Sequence, residues 1–251
     1  MLTNKHRKTV RDHFEKIKAD THKIGAARIL YHQSGNHIPR EYNGFDLHVF
    51  KSDILHSLGY TPIFDRRLIP GSNHFAILDF YRDNPNYKYY WLIEDDVRFS
   101  GSWSTLFDTF ADFTHDFISS NIRKFEEEPL WIYWNSLVHR GQSVPNINNL
   151  RSFNPIYRIS NRALKLIDHM LLNQWQGHHE VLIPTLLNQE GFSVLDFGGN
   201  GGFCLPEFEN KFYTTNSLNI YGELYGGTMR CRPPVRYLIE QNMIYHPVKS
   251  L

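Results

Sequence analysis

Three carboxylates that follow an apolar run are the residues best suited to chemistry. Glu94, Asp95 and Asp96 come directly after residues 89–93, "YYWLI", which are apolar enough to form a central strand. Adjacent carboxylates repel one another, so their burial at a strand end is costly unless a cation neutralises them. Mg²⁺ and Mn²⁺ take oxygen ligands from carboxylates and from substrate phosphates. The triplet therefore predicts a divalent-metal site for a diphosphate, with an exposed acidic turn as the alternative.

The segment "WLIEDDVRFSGSW" resembles the DxD-type metal motif of GT-A glycosyltransferases, which use nucleotide-sugar donors. The usual spelling is Asp-x-Asp, and this chain has the variant Glu-Asp-Asp. The resemblance implies that Asp96 binds the metal, that Asp95 contacts ribose or metal-bound water, and that Glu94 holds the donor side. It further implies a hexosyl- or N-acetylhexosaminyl-transferase with Mn²⁺ or Mg²⁺ as cofactor and a uridine diphosphate sugar as donor.

Other polar side chains are candidates for the same site through this resemblance. His246 has the position of a late histidine that often completes the metal site in GT-A enzymes, and imidazole suits Mn²⁺ as a ligand. Arg230, Arg232 and Lys249 are candidates for contact with the diphosphate, although the arginines also fit a solvated surface loop. Asp65, at the end of a short strand predicted over "YTPIFD", is a candidate partner for the ribose or base.

Glu180 is the candidate for the base that an inverting transferase needs to deprotonate its acceptor hydroxyl. It stands at the start of a predicted helix, "HEVLIPTLLNQEG". In GT-A enzymes a carboxylate in this region often serves as the base. The alternative is a carboxylate that only complements the positive end of the helix dipole.

The stretch "SVLDFGGNGGF" at residues 193–203 resembles the loop that binds S-adenosylmethionine in methyltransferases. Such a loop normally follows the first strand and precedes a helix, whereas "CLPEFENKFYTTN" contains a proline and has no helical period. We therefore expect a flexible wall of a sugar pocket, with Asp196 and Phe203 directed to the sugar. A methyltransferase and a non-catalytic carbohydrate-binding protein of the same fold remain the alternatives to a transferase.

The elements that must position these residues alternate between strands and helices from residue 26 onward. This alternation predicts one α/β domain over residues 25–251, with a mostly parallel central sheet flanked by helices as in the GT-A fold. Residues 1–24 are predicted to form a separate amphipathic helix, since Val10, Phe14 and Ile17 recur at helical spacing among basic residues. That helix either docks on the domain or rests on anionic lipid.

Composition limits the classes of protein that the chain can represent. With 251 residues, 41% of them hydrophobic, the chain is long enough for one large globular domain. The formal net charge of +1 gives no sign of a nucleic-acid partner, and two cysteines are too few for a disulfide framework or a zinc cluster. No signal-peptide pattern stands at the start. We expect a cytoplasmic enzyme of polysaccharide biosynthesis with a carbohydrate acceptor, either free or in peripheral contact with the inner membrane face.

Overall fold

The computed structural model describes residues 1–219 and 222–249. Its helices are α1 (Lys8–Thr21), α2 (Ile54–Ser57), α3 (His74–Asp83), α4 (Trp103–Thr109), α5 (Asn161–Leu172) and α6 (His179–Gln189). Its strands are β1 (Leu2–Thr3), β2 (Ile29–His32), β3 (Leu47–Phe50), β4 (Tyr89–Ile93), β5 (Arg98–Phe99), β6 (Phe117–Lys124), β7 (Val138–His139), β8 (Gln142–Ser143), β9 (Leu150–Ser160), β10 (Trp175–Gln176), β11 (Val194–Asp196), β12 (Ser217–Leu218), β13 (Leu224–Tyr225) and β14 (Ile244–Tyr245). None of the described helices is long and apolar enough to cross a lipid bilayer.

Two sheets that meet at one bridge form the centre of the molecule. The first has the parallel order β1-β2-β3, and the second has the order β11-β6-β9-β4. A parallel bridge between Leu2 and Glu94 joins them, so the combined order is β3-β2-β1-β4-β9-β6-β11. Strand β9 runs antiparallel to both of its neighbours, and the other strands are parallel to one another. This arrangement confirms the predicted α/β class with a mostly parallel central sheet.

The strand order places a crevice at the bridge between β1 and β4. Strands β2 and β3 follow β1 on one side, whereas β4 and its partners lie on the other side. In open α/β sheets, ligands bind beyond the carboxyl ends of the strands, where the strand order changes direction. The residues that follow β1 and β4 therefore occupy the position where a nucleotide is expected.

Alternate residues of the strands belong to different apolar cores, because successive side chains of a strand point to opposite faces. Tyr90 and Leu92 contribute to a core that includes residues of α3, α5 and α6. Ile93 contributes to a second core that includes residues of α1 and α4, with Trp91 packed against it. Helices thus cover the sheet from both sides.

Two regions differ from the sequence expectations. The N-terminal helix forms over Lys8–Thr21, but residues 2–3 form strand β1 of the sheet, because they pair with β2 on one side and with Glu94 on the other. The predicted strand over residues 60–65 is wrong. The strand next to β2 is Leu47–Phe50, and residues 60–65 form turns and irregular structure. The proposed domain boundary after residue 24 stays a prediction.

Candidate metal centre

Glu94, Asp96 and His246 converge at the carboxyl end of β4. The Nε2 atom of His246 lies 3.4 Å from Oδ1 of Asp96 and 3.9 Å from Oε2 of Glu94. One ligand atom from each of the three side chains lies within 4.8 Å of the others. Two ligands of one octahedral Mg²⁺ are at most about 4.2 Å apart, twice the usual bond length. The two distances from His246 fit that limit, so the three side chains could hold a single divalent cation.

His246 reaches the two carboxylates because backbone contacts fix the C-terminal segment. Strand β14 pairs with β5, and the amide of Val248 donates to the carbonyl of Asp96 at 2.7 Å. The other ring nitrogen of His246, Nδ1, lies 2.8 Å from the carbonyl oxygen of Arg230. A carbonyl can only accept a hydrogen bond, so Nδ1 bears a proton. Nε2 can then offer its lone pair to a cation or, when it is also protonated, donate to the carboxylates.

The electrostatics of the cluster match those of a cation site. Burial raises the pKa of Glu94 to about 7, and the charge of Asp96 adds to this effect while that of His246 opposes it. Burial works against the ionisation of Asp96, but His246, Lys5 and Lys249 outweigh it and hold its pKa below the usual value. Burial also works against protonation of His246, but the two carboxylates raise its pKa. In the absence of a metal, a proton on His246 therefore partly neutralises the carboxylates.

The second carboxylate of the triplet faces the first strand instead. The ammonium group of Lys5 lies 2.6 Å from Oδ1 of Asp95, and the hydroxyl of Thr3 donates to Oδ2. A cleft of about 140 Å³ opens here; its lining includes Thr3, Lys5, Phe50, Asn73, Glu94 and Asp96. The cleft lies at the β1–β4 crevice and combines carboxylates, one ammonium group and an aromatic ring. These are the groups that a nucleoside diphosphate with its metal ion would contact.

Glu180 lies in the first turn of α6, near the cluster. Its Oε1 accepts a hydrogen bond from the amide of Asn154 at 3.1 Å, and the side chain is largely buried. Burial raises the pKa of Glu180, while the charge of Arg151 opposes the rise. The charge of Glu180 in turn contributes to the raised pKa of Glu94, so the two carboxylates are close enough to interact. A buried carboxylate with a raised pKa beside a metal cluster can act as a base.

The other predicted site residues are distributed unevenly around the cluster. Lys249 is exposed but lies close enough to lower the pKa of Asp96. Arg230 contacts the cluster through its carbonyl and holds His246, whereas Arg232 is exposed and pairs with Glu223 at 3.2 Å. Asp65 lies in an exposed turn outside the lining of the cleft, because the strand expected to end there does not form. Its role in binding ribose or base stays a prediction without a contact to support it.

Asp196 and its glycines form a closed structural turn. Both Asp196 oxygens accept from the hydroxyl of Tyr213, and the amides of Ile122, Gly198 and Gly199 also donate to this carboxylate. The side chain is fully buried. A side chain on Gly199 would collide with the hydroxyl of Tyr213. Because protein groups already use its oxygens, Asp196 has no free acceptor for a sugar or for the ribose of a methyl donor.

Sequence reasoning missed the contributions of Thr3, Lys5 and Asn73 to the site. Asn73 donates to Oε1 of Glu94 at 2.8 Å from the residue that precedes α3. In the sequence, Asn73 indicates only the start of a helix, where asparagine is a common cap residue. Thr3 and Lys5 were assigned to a helix, and a two-residue strand has no periodicity that could reveal it.

Comparisons with known proteins give little functional guidance. The model of a family described as a protein of unknown function (DUF3405) matches residues 12–124. A search of curated proteins finds no match. Among solved structures, a core-mannan synthase from Aspergillus fumigatus in an Mn/GDP form is similar, with a TM-score of 0.39 and 11% identity over 78% of this chain and 71% of that chain. A similarity of this extent does not by itself indicate a shared function.

Proposed function

We propose that the protein is a metal-dependent glycosyltransferase that moves a sugar from a nucleotide diphosphate sugar to a carbohydrate hydroxyl. The observation that supports this proposal is the convergence of Glu94, Asp96 and His246 at the β1–β4 crevice, beside a cleft that Lys5 enters. A site of two carboxylates and one imidazole suits Mn²⁺ or Mg²⁺, which such reactions use to bind phosphates. We include in this proposal that the donor is a uridine diphosphate sugar.

In the proposed reaction, Glu94, Asp96 and His246 hold the cation. The chemistry supplied by a bound Mn²⁺ or Mg²⁺ is neutralisation of charge on the departing diphosphate. Lys5 and Lys249 add positive charge near Asp96, since both lower the pKa of this carboxyl. Their ammonium groups would stabilise the diphosphate as it separates from the sugar.

Glu180 would act as the base of an inverting transfer. The acceptor oxygen forms a bond to the anomeric carbon, the bond from that carbon to the diphosphate oxygen breaks, and the acceptor proton passes to Glu180. The raised pKa of this carboxyl makes it a stronger base than an exposed glutamate. The role predicts that Glu180→Gln lowers kcat by about 10²–10⁴-fold. It also predicts that KM for the donor is little changed and that the product has the opposite anomeric configuration. Retained configuration would contradict this role for Glu180.

Calorimetric titration provides the first test of the proposal. UDP and GDP are titrated separately into the protein, each with and without Mn²⁺. The same titrations are repeated with Asp96→Ala and with the control Asp112→Ala, which alters an exposed aspartate outside the cluster. We expect UDP binding that requires Mn²⁺, is lost in Asp96→Ala and persists in Asp112→Ala. Binding of GDP without binding of UDP would indicate that the donor is a guanosine diphosphate sugar instead of a uridine diphosphate sugar.

Turnover separates an enzyme from a binding protein. The nucleotide that binds is tested as its sugar conjugates for release of free nucleoside diphosphate, with and without an oligosaccharide acceptor. Metal-dependent release that Asp96→Ala abolishes would support the transferase. Donor binding with no release for any sugar and acceptor would favour a carbohydrate-binding protein. The absence of any nucleotide binding would contradict the proposal.

A further inference from the structure

Tyr133 carries a half-buried aromatic ring beside the start of α6. One face of this ring stacks on the imidazole of His178, with the ring centroids 4.1 Å apart and the planes inclined by 18°. The indole of Trp131 lies 5.4 Å from the ring of Tyr133 and 5.6 Å from that of His178, so it flanks the stack. Within the part of the chain that the structure describes, no other ring packs on Tyr133. Its outer face is therefore available to a ligand.

Hydrogen bonds and a buried side chain hold Tyr133 in place. The backbone amide of His178 donates to Oγ of Ser136 at 3.0 Å, and that hydroxyl donates to the carbonyl of Tyr133 at 2.6 Å. Trp134 is buried, and its Nε1 donates to the carbonyl of Glu128 at 2.8 Å. A ring that is already fixed in position binds a ligand without the entropy cost of ordering it. This segment thus forms a rigid support for the open face.

The imidazole that supports Tyr133 also contacts the proposed base. Nδ1 of His178 accepts a hydrogen bond from the amide of Glu180 at 3.3 Å and lies 3.7 Å from Oε2 of the same residue. A ligand on the outer face of Tyr133 is separated from the plane of His178 by two contact distances of about 4 Å each. Proton transfer to Glu180 needs a hydroxyl at about 2.6–3.2 Å. A sugar ring that stacks on Tyr133 is therefore too distant to be the one that Glu180 deprotonates.

The wall of the donor cleft is attached to the same end of α6. Leu68 and Ile69 line the cleft. Two residues further on, the carbonyl of Gly71 accepts a hydrogen bond from the amide of His179 at 2.9 Å. His179 directly precedes Glu180 in the first turn of α6. The cleft and the stacked rings are therefore fixed to the same turn of helix, on which the proposed base stands.

Charged side chains stand close to the open ring. Burial raises the pKa of the Tyr133 hydroxyl, and the charges of Glu180 and Glu223 add to the rise while that of Arg67 opposes it. Arg67 is exposed and Glu223 is half-buried. A sugar unit has C–H groups on the face of its ring and hydroxyls around the edge. The negative face of an aromatic ring attracts the C–H groups, and carboxylate and guanidinium groups form hydrogen bonds with the hydroxyls.

We propose that Tyr133 is the stacking platform for a sugar unit of the acceptor, next to the unit that receives the transferred sugar. The acceptor is then an oligosaccharide of two or more units, of which one contacts Tyr133 while its neighbour offers a hydroxyl to Glu180. This inference rests on the proposed function for the role of Glu180. The stacking itself needs no donor, so binding of the acceptor can be tested apart from sugar transfer.

Calorimetry with small carbohydrates tests the platform. The probes are the methyl glycosides of glucose, galactose, mannose and N-acetylglucosamine, and the disaccharides cellobiose, maltose, lactose, mannobiose and chitobiose. Each is titrated into the protein alone and into the protein with Mn²⁺ and UDP. We expect a disaccharide to bind about tenfold more tightly than the methyl glycosides of its units, since only the disaccharide also reaches the aromatic face. Equal affinity, or no disaccharide binding in either state, would overturn the proposal.

Three variants locate the contact. Tyr133→Leu keeps apolar bulk against His178 but removes the aromatic face, so it should weaken disaccharide binding about tenfold. Tyr133→Phe keeps the ring and should bind nearly as the unaltered protein does. The control Tyr87→Leu alters a tyrosine that is 37% exposed and precedes β4, at the opposite end of that strand from the metal cluster, and binding should not change. Unchanged disaccharide binding in Tyr133→Leu would overturn the proposal.

Nucleotide binding separates failure of this proposal from failure of the proposed function. Metal-dependent UDP binding should be the same in Tyr133→Leu as in the unaltered protein, which also shows that the variant is folded. In sugar transfer the variant should raise KM for the disaccharide about tenfold, with little change in kcat or in KM for the donor. A donor that turns over with no effect of Tyr133→Leu would remove the platform and leave the transferase. Disaccharide binding that depends on Tyr133 in a protein that binds no nucleotide would keep the platform and contradict the transferase.

Discussion

Two carboxylate sites stand at the ends of parallel strands in this molecule, and protein groups satisfy them to very different extents. Asp196, at the end of β11, accepts hydrogen bonds from three backbone amides and one tyrosine hydroxyl. At the end of β4, Glu94 receives one hydrogen bond, from Asn73, and Asp96 faces His246. A carboxylate whose acceptors are filled by the protein stabilises the fold. Two neighbouring carboxylates whose oxygens can still accept further contacts are suited to bind a cation.

Among the substitutions that test this difference between the two carboxylate sites, the largest effect on activity is expected at Asp96. Asp96→Asn should lower the rate of sugar transfer about a thousandfold, comparable to the largest losses seen when one group that stabilises developing charge is removed. The free energy of unfolding should fall by only about 1 kcal/mol, because asparagine keeps the shape, and the lost attraction between Asp96 and His246 is partly offset by the lost repulsion between Asp96 and Glu94. Donor turnover and a denaturant titration measure the two quantities. A large loss of stability would mean that Asp96 has a structural role.

The reverse pattern is expected at Asp196. Asp196→Ala leaves the amides of Ile122, Gly198 and Gly199 and the hydroxyl of Tyr213 without their acceptor. Each buried donor left unpaired costs about 1–3 kcal/mol, so the free energy of unfolding should fall by more than about 3 kcal/mol. Urea titration measures the loss, and Asp112→Ala is the control. A stable Asp196→Ala protein that has lost donor binding would reverse the assignment of the two sites.

Proton competition gives a third prediction, which applies to the β4 site alone. Metal ligands must be deprotonated to bind. The pKa of Glu94 is raised to about 7, so this carboxyl loses its proton near neutral pH, and the raised pKa of His246 adds proton competition in the same direction. The affinity for Mn²⁺ should therefore increase as pH rises through 7 and then level off, with a slope of about tenfold per pH unit for each proton displaced. Calorimetry with Mn²⁺ from pH 6 to pH 8.5 would measure it, and a flat profile would contradict the ligand set.

The smallest effect is expected at Lys5, which pairs with Asp95 at the edge of the cleft. Its side chain is 42% exposed, so solvent screens much of its charge. Lys5→Met should weaken binding of the nucleotide diphosphate by about fivefold, which is typical of an exposed charge pair. It should also reduce the salt dependence of that binding. The dissociation constant at two salt concentrations tests this, and an unchanged value at both would remove Lys5 from the site.

The sequence predicted the α/β class and the position of the acidic triplet because both depend on local patterns. Apolar runs of strand length precede Glu94 and Asp196, and these runs do form β4 and β11. What the sequence could not provide were contacts set by tertiary pairing. Strand β1 has two residues, and its conformation depends on neighbours on both sides. The position of β1 between β2 and β4 places Lys5 in the cleft, and the absence of a strand at residues 60–65 leaves Asp65 outside it.

The difference between the two acidic sites was likewise invisible in the sequence. Each consists of an apolar strand that leads into acidic side chains, and Asp196 was expected to face a sugar in the same way that the triplet was expected to face a donor. The donors that fill Asp196 come from residues as distant as Ile122 and Tyr213. Only the folded chain reveals whether an acidic side chain has exhausted its hydrogen-bonding partners. The roles of Glu180, His246 and the basic residues stay predictions until they are measured.

The attachment of the C-terminal segment has a consequence for biosynthesis. His246 reaches the end of β4 only through the pairing of β14 with β5 and the bond from Val248 to Asp96. During translation, β4 and the acidic triplet leave the ribosome long before this segment does, and contacts between such distant parts of a chain form slowly. A nascent chain therefore exposes two carboxylates without their imidazole partner. The protein would acquire its cation-binding capacity only after residues 244–248 have left the ribosome and paired with β5.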